Sequence, residues 1–111
     1  MMELHKYIDH TLLKPNALVG DVQQLCDEAA KHKLFAVCVP PYFIRASKQE
    51  LKEVPVKVAT VVGFPLGYAP TPAKVEAVKK VVNDDVDEID FVMNIAACKN
   101  ADWNYLRNDI N

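Results

Sequence analysis

The sequence predicts an α/β fold that forms about half of a (β/α)8 barrel. The first observation behind this prediction is an alternation of strand-like and helix-like segments, which gives four strand–helix units in 111 residues. The second is their spacing, because successive strands begin roughly 20–30 residues apart, as they do in such barrels. The third is length, since a complete barrel needs about 250 residues. We therefore expect residues 1–111 to form a single domain that contains barrel strands one to four with their helices.

A small open sheet is the alternative architecture that this alternation allows. A doubly wound sheet of that type usually carries a glycine-rich phosphate-binding loop after its first strand. Here the first strand is followed by Lys14, Pro15 and Asn16, which do not form such a loop. The half-barrel is therefore the preferred prediction.

Composition limits the classes of function and the compartment. A net charge of −2 gives no reason to expect a nucleic acid or an anionic membrane as partner. Three cysteines without paired zinc spacing indicate reduced thiols, as in a cytosolic protein. The charged first residues do not resemble a signal peptide, and no apolar run has the length of a membrane span. We therefore expect a soluble, cytoplasmic protein.

The first two strand–helix units occupy the first half of the chain. A short strand is expected at residues 7–13, and Asp21 is expected to begin a helix as its N-cap. A continuous apolar run at residues 34–39 is typical of a strand covered on both faces, and a helix is expected at residues 42–51. The expected buried stripe of the first helix consists of Val22, Leu25, Cys26, Ala29 and Ala30.

The last two units have similar signals. Residues 56–62 are rich in β-branched side chains and predict a strand, followed by a loop in which Gly63 and Gly67 permit positive φ. Thr71 begins the next helix, and Asp102 caps the last one. That helix has no stop signal at Asn111, so we expect the chain to end before its fold does. The expected buried stripes are Val75, Val78 and Val82 in one helix, and Trp103, Leu106 and Ile110 in the other.

The stretch at residues 87–94 carries the main functional signal of the sequence. It predicts a strand on which Asp90, Val92 and Asn94 share one face, because side chains alternate along a strand. A carboxylate on the inner wall of a barrel is costly unless it is paired or used, which makes Asp90 a candidate for chemistry. An exposed strand face or a helix-capping acid is the alternative interpretation.

Further candidates follow from the rule that barrel enzymes place active groups at the carboxyl ends of strands. Cys38 has an inert alternative as a small buried apolar side chain, and His10 has one as a structural hydrogen-bond partner. Three scattered histidines do not suggest a metal site. The candidate positions are Asp9, Thr11, Cys38, Thr60 with the loop at 63–67, Asp90 and Asn94. The lysines lie mostly on helix ends or polar faces, so none is expected to be a desolvated Schiff-base lysine: Lys14, Lys33, Lys57, Lys74, Lys79, Lys80 and Lys99.

Four motifs resemble one enzyme family in order and spacing. They are IDHTLLKP at residues 8–15, AVCVPP at 36–41, VVGFPLG at 61–67 and DEIDFVMNI at 87–95. Together they resemble deoxyribose-phosphate aldolase, and the resemblance covers the amino-terminal half of that family, through barrel strand four. It implies a (β/α)8 barrel that cleaves 2-deoxy-D-ribose 5-phosphate reversibly to acetaldehyde and D-glyceraldehyde 3-phosphate, in deoxynucleoside catabolism.

The resemblance also implies roles for particular residues. The family uses neither metal nor cofactor: a lysine on strand six forms an imine with the substrate, and a lysine on strand seven lowers its pKa. An aspartate on strand four shares in proton relay, and Asp90 matches it by its place in the motif. Asp9, Thr11 and Cys38 match positions that line the substrate pocket, whereas Asp87 would face the opposite end of the barrel.

The chain departs from the family pattern because it ends before strands six to eight. The imine-forming lysine and the phosphate-binding loops are therefore absent from these 111 residues, and the isolated chain is expected to be inactive. The rival interpretation is a non-catalytic half-barrel module that associates with itself or with a carboxy-terminal half. In either case we expect a homo-oligomer, because half a barrel leaves two strand edges and its inner face uncovered. The side chains expected on that face are Cys38, Val58 or its neighbours, Thr60, Val62 and Val92.

Overall fold

The computed structural model of the chain describes residues 3–111. Four parallel strands form one sheet in chain order, and helices connect them, so the predicted alternation is confirmed. The strands are β1 at Asp9–Thr11, β2 at Ala36–Cys38, β3 at Lys57–Val62 and β4 at Glu88–Phe91. The helices are α1 at Val19–Lys31, α2 at Ile44–Glu50, α3 at Thr71–Asn83, α4 at Ile95–Lys99 and α5 at Trp103–Ile110, with short 3₁₀ helices at Leu4–Tyr7 and Pro41–Phe43.

The strand register determines which side chains share a face of the sheet. Thr11 pairs with Cys38 and Cys38 with Ala59, while Val61 pairs with Asp90. Paired residues of parallel strands point to the same side, and side chains alternate along each strand. One face, called the open face below, therefore carries Asp9, Thr11, Cys38, Val61 and Asp90. The opposite face packs against the helices.

The hydrophobic core lies between that opposite face and the helices. Helix α1 contributes Val22, Leu25, Cys26 and Ala29, which confirms its predicted stripe, with Ala30 partly buried beside it. Strands β2 and β3, with the residue that follows β2, contribute apolar side chains from the other side: Val37, Val39, Val58 and Val62. The expectation that Val62 lies on the inner face is therefore wrong, because this register turns it toward the helices. Of Val58 and its neighbours, Ala59 shares the open face with Cys38, whereas Val58 is in the core.

Several element boundaries differ from the prediction. Helix α1 begins at Val19, two residues before the predicted cap, and Asp21 accepts the Leu18 N–H at 2.8 Å from the third helical position. A carboxylate at the third helical position can accept the N–H of the residue before the helix, which otherwise has no partner within the helix. The first strand, predicted at residues 7–13, covers only Asp9–Thr11, and helix α4 was not predicted.

The predicted buried stripes of α3 and α5 are confirmed only at one residue each, because Val78 packs against the core and Leu106 is buried. Val75 and Val82 are exposed, and the buried residues of α3 are Lys74 and Val81. In α5, Trp103 and Ile110 are exposed, while Leu106 and Asp109 are buried. Both helices are thus rotated relative to the prediction, and each turns a charged side chain inward.

Two other observations bear on the predicted class of protein. Within residues 3–111, no helix combines the length and apolar character that crossing a bilayer requires. The three cysteines are free thiols, of which Cys26 and Cys38 are buried.

Asp102 caps α5 as predicted, because its side chain accepts the Tyr105 N–H at 3.2 Å.

The loop between β3 and α3 is held by two glycines with positive φ, as predicted. Gly63 has φ +69° and Gly67 has φ +74°. A Cβ on Gly67 would lie 2.0 Å from the Met93 carbonyl oxygen, so the loop packs directly on the backbone that follows β4. This loop therefore couples the carboxyl ends of β3 and β4.

We expect Gly67→Ala to lower the free energy of unfolding by at least about 2 kcal/mol. A residue with a side chain costs roughly 1–2 kcal/mol in left-handed backbone, and the clash with the Met93 oxygen adds to this. The control is Gly20→Ala in α1, where a Cβ meets no atom within 4 Å and the expected change is a gain of up to about 1 kcal/mol. Urea denaturation of the 111-residue chain measures both free energies of unfolding. Equal effects of the two substitutions would contradict the conclusion that residue 67 has to be glycine.

Candidate functional site

The structure brings together four of the residues singled out from the sequence. Asp9 and Thr11 lie on β1, Cys38 ends β2, and Asp90 lies near the end of β4, all on the open face. On this face, Val61 of β3 lies between β2, which carries Cys38, and β4, which carries Asp90. Thr11, Cys38 and Asp90 lie at or near the carboxyl ends of their strands, where barrel enzymes hold their reacting groups. Asp9 instead begins β1, on the same face.

The electrostatic coupling of these groups supports their proximity. Burial raises the pKa of the Asp9 carboxyl, and the negative charge of Asp90 raises it further. Burial also raises the pKa of the Cys38 thiol to about 11, with contributions from Asp90 and then Asp9. Cys38 is therefore a neutral thiol near pH 7, which agrees with its inert interpretation and leaves it a lining role.

This arrangement can perform two kinds of chemistry. Two carboxylates that share a surface stabilise a positive charge placed between them, such as a protonated imine. A carboxyl whose pKa is raised, as that of Asp9 is, also keeps its proton to a higher pH and can pass it on. Thr11 adds a hydroxyl that donates to the Asp9 carbonyl oxygen at 2.9 Å and can still accept a hydrogen bond.

Two residues proposed from the sequence lie elsewhere. Thr60 is fully buried on the helix side of β3 and donates to the Val39 carbonyl oxygen at 2.7 Å. The suggestion that it belongs to the site is therefore wrong, because the register places it on the opposite face from Asp90. Asn94 caps α4 by accepting the Ala97 N–H at 2.9 Å, so its side-chain oxygen is already used.

The residues predicted to be structural lie outside this group, and two of them are at the opposite end of the sheet. Asp87 accepts the Val58 N–H at 2.8 Å and lies near Lys48, while Lys57 begins β3. His10 lies on the helix side and is 3.0 Å from Glu28, the structural hydrogen bond that was predicted. Within residues 3–111, no group of three or more histidine, cysteine, aspartate or glutamate side chains is arranged to hold a metal ion.

Lys74 is the residue that sequence reasoning missed. It was expected on a polar helix face, but its side chain is buried and paired with Asp109. A signal was available, because residues 74, 77, 78 and 81 fit helical spacing as well as the predicted stripe does. Its nitrogen lies on the helix side, where Asp109 and the Val92 carbonyl oxygen engage it, so it is not available to a substrate on the open face.

Comparison with known proteins extends these observations. Residues 4–111 match the sequence profile of a family described as the DeoC/LacD family aldolase. A protein named deoxyribose-phosphate aldolase from Thermococcus gammatolerans is 49% identical over 111 residues, which cover 98% of this chain and 49% of that protein. The chain thus spans about half the length of the curated relatives it matches.

Solved structures agree on the architecture. QR15, described as an aldolase, aligns with a TM-score of 0.91 at 31% identity, over 98% of this chain and 48% of that one. A deoxyribose phosphate aldolase from Aeropyrum pernix, described as having a unique tetrameric structure, aligns with a TM-score of 0.78 at 31% identity, over 84% of this chain and 40% of that one. The predicted fold class, about half of a (β/α)8 barrel, is confirmed.

The carboxylates near Cys38 lead to a prediction about thiol reactivity. Asp90→Asn removes a negative charge that disfavours the thiolate, so the pKa of Cys38 should fall below its value of about 11. Each unit of decrease raises the thiolate fraction about tenfold at a fixed lower pH. The measurement is the pH dependence of iodoacetamide labelling at Cys38, read by peptide mass spectrometry. Asp85→Asn, a change at an exposed carboxylate, serves as the control, and an unchanged Cys38 profile in Asp90→Asn would contradict the coupling.

Proposed function

Because the chain belongs to the DeoC/LacD family of aldolases, we propose that it forms the amino-terminal half of a class I deoxyribose-phosphate aldolase. Residues 1–111 act as a single domain that supplies the carboxylate side of the site. The observation that carries this proposal is the placement of Asp9, Cys38 and Asp90 on one face of the sheet, close enough for their charges to be coupled. The imine-forming lysine comes from the carboxy-terminal half of the barrel, as further residues or as a second chain.

The proposed reaction is the reversible cleavage of 2-deoxy-D-ribose 5-phosphate. The substrate aldehyde condenses with the lysine to a protonated imine, and water leaves. The bond between C2 and C3 then breaks: the C3 hydroxyl loses its proton, C3 becomes the aldehyde of D-glyceraldehyde 3-phosphate, and the electron pair passes to the enamine. Protonation of the enamine at C2 and hydrolysis of the imine release acetaldehyde. The imine nitrogen is the electron sink, so this chemistry needs neither metal nor cofactor.

The residues of this chain take defined parts in that sequence. Asp90 shares in the relay that accepts the hydroxyl proton and returns a proton to the enamine. Asp9 and Asp90 supply negative charge that favours the cationic imine, while Thr11 and Cys38 line the pocket. A second lysine in the carboxy-terminal half would offset these charges, because a neighbouring cation lowers the pKa of the reacting lysine.

Compartment and assembly complete the proposal. The substrate is a phosphorylated sugar from deoxyribonucleotide catabolism, which places the reaction in the cytoplasm. The reduced cysteines support this assignment. We also propose that the complete enzyme is a homo-oligomer, an inference supported by the tetrameric aldolase of Aeropyrum pernix.

The role of Asp90 is tested in an assembly that contains both halves of the barrel. Asp90→Asn should lower kcat roughly 10²–10⁴-fold, the usual contribution of a general acid–base group, without loss of assembly. The matched control is Asp87→Asn, where the amide oxygen can still accept the Val58 N–H at the other end of the sheet. Its turnover should be close to that of the parent. Full activity of the Asp90→Asn assembly would remove this residue from the mechanism.

A second candidate function is a non-catalytic module that associates through its open sheet. Within residues 3–111, β1 and β4 each have one edge without a strand partner. Asp9, Thr11 and Asp90 on the open face are also exposed, so a partner could cover them. Two copies facing each other would bring four carboxylates together, which weakens self-closure of the barrel and favours a partner that carries lysines.

The isolated 111-residue chain distinguishes these functions. Borohydride reduction with acetaldehyde or the sugar phosphate should trap no stoichiometric adduct, because Lys57 lies at the amino edge and Lys74 is buried on the helix side. Trapping at one lysine that is abolished by its substitution would contradict this, and Lys14 and Lys57 would be examined first. Sedimentation of the same sample reports on self-association, and a cooperatively folded monomer at micromolar concentration would argue against a module that associates with itself.

A further inference from the structure

The ion pair between Lys74 and Asp109 is the most deeply buried charged contact described in residues 3–111. The side chains are 2% and 0% exposed. The Lys74 ammonium also donates to the Val92 carbonyl oxygen at 3.1 Å and lies 4.7 Å above the centre of the Phe91 ring. The second oxygen of Asp109 accepts from the Thr71 hydroxyl at 2.9 Å. Three elements, α3, α5 and the end of β4, therefore meet at one ammonium group.

This contact holds the backbone immediately after Asp90. The Val92 N–H donates to the Val62 carbonyl oxygen at 3.0 Å, and the Val92 carbonyl accepts from Lys74 at 3.1 Å. Phe91 lies beneath the ammonium. The two residues that follow Asp90 are thus fixed from the sheet by β3 and from the helix layer by Lys74. The other edge of β4 has no strand partner within the described residues.

The pair also attaches α5 to the rest of the molecule. From residue 92 to residue 111, the buried residues are Leu106 and Asp109. A Cβ on Gly63 would lie 3.1 Å from the Cε atom of Lys74, so the loop after β3 rests on the same side chain. Displacement of Lys74 would therefore release both segments that flank the carboxyl end of β4.

Net stability alone does not explain such a pair. Replacing a buried ion pair by apolar side chains of similar volume is often neutral or stabilising, because desolvation offsets the attraction. What an apolar pair cannot supply is a directed hydrogen bond to one carbonyl oxygen. In this molecule that oxygen belongs to Val92, two residues beyond the proposed proton-relay carboxylate.

We propose that Lys74 is a positioning residue: held by Asp109, it fixes the Val92 carbonyl and thereby the placement of Asp90 on the open face. This inference rests on the proposed function, which assigns the chemistry to Asp90. Lys74 itself touches no substrate, because its ammonium lies in the helix layer.

The test uses a double variant that removes both charges. Lys74→Met alone leaves Asp109 buried without its counterion and should lower Tm markedly, whereas Lys74→Met/Asp109→Leu should recover most of that loss. The matched control is Glu76→Leu/Lys79→Met, which removes an exposed ion pair of the same helix. It should change neither stability nor any readout of the site.

The first readout needs no activity and uses the 111-residue chain. In the folded double variant, the pKa of the Cys38 thiol should fall from about 11 toward its value in Asp90→Asn, because the Asp90 charge is no longer held beside it. The control pair should leave that pKa unchanged. A folded double variant that retains the parent pKa of Cys38, while Asp90→Asn lowers it, would overturn the inference.

The second readout separates this inference from the proposed function. In an active assembly of both barrel halves, the double variant should lose at least tenfold in kcat with less than a threefold change in KM. Adding Asp90→Asn should then cost less than it does in the parent. Full activity of the double variant beside an impaired Asp90→Asn would overturn the positioning role alone. Full activity of Asp90→Asn would overturn the proposed function and the positioning role with it.

Discussion

The parallel register of the four strands is the constraint on which the rest of this structure depends. Pairing Thr11 with Cys38 and Val61 with Asp90 places four of the candidate groups on one face. A slip of one residue in any strand would move its side chains to the opposite face, because alternation along a strand has a period of two. The core beneath the sheet is consistent with this register, because Val37, Val58 and Val62 pack against the helices in the observed phase.

The sequence predicted the fold class and the four open-face candidates because those features depend on local patterns. The face of Asp90 follows from alternation in β4, where polar and apolar residues take turns. Strand β3 gives no such signal, since Val58, Ala59, Thr60, Val61 and Val62 suit either face. Thr60 was therefore placed on the wrong side. Only the pairing with β2 and β4, which is not a local property, decides the orientation of that strand.

The predictions of the buried residues of α3 and α5 were partly wrong for a related reason. Periodicity allowed α3 to bury either Val75 and Val82 or the row that begins at Lys74, and a lysine in the buried row is costly unless it finds a counterion. That counterion is Asp109, far along the chain in α5. No pattern within either helix reveals that the two residues meet, so apolarity alone left both of them out of the predicted buried stripes. The misjudged residues are the ones that link the helix layer to the end of β4.

The edges of the open sheet have a consequence for how this chain avoids misassembly. Strands β1 and β4 contain three and four residues, so each presents a short row of unpaired backbone groups. Each also carries a charged side chain on the open face, Asp9 on one and Asp90 on the other. Short edge strands and inward-pointing charges are both devices that discourage indiscriminate strand addition and fibril growth. The carboxylates proposed for the reaction would thus also protect the edge strands. Their negative charges repel an identical copy of this sheet and attract a sheet that carries positively charged side chains.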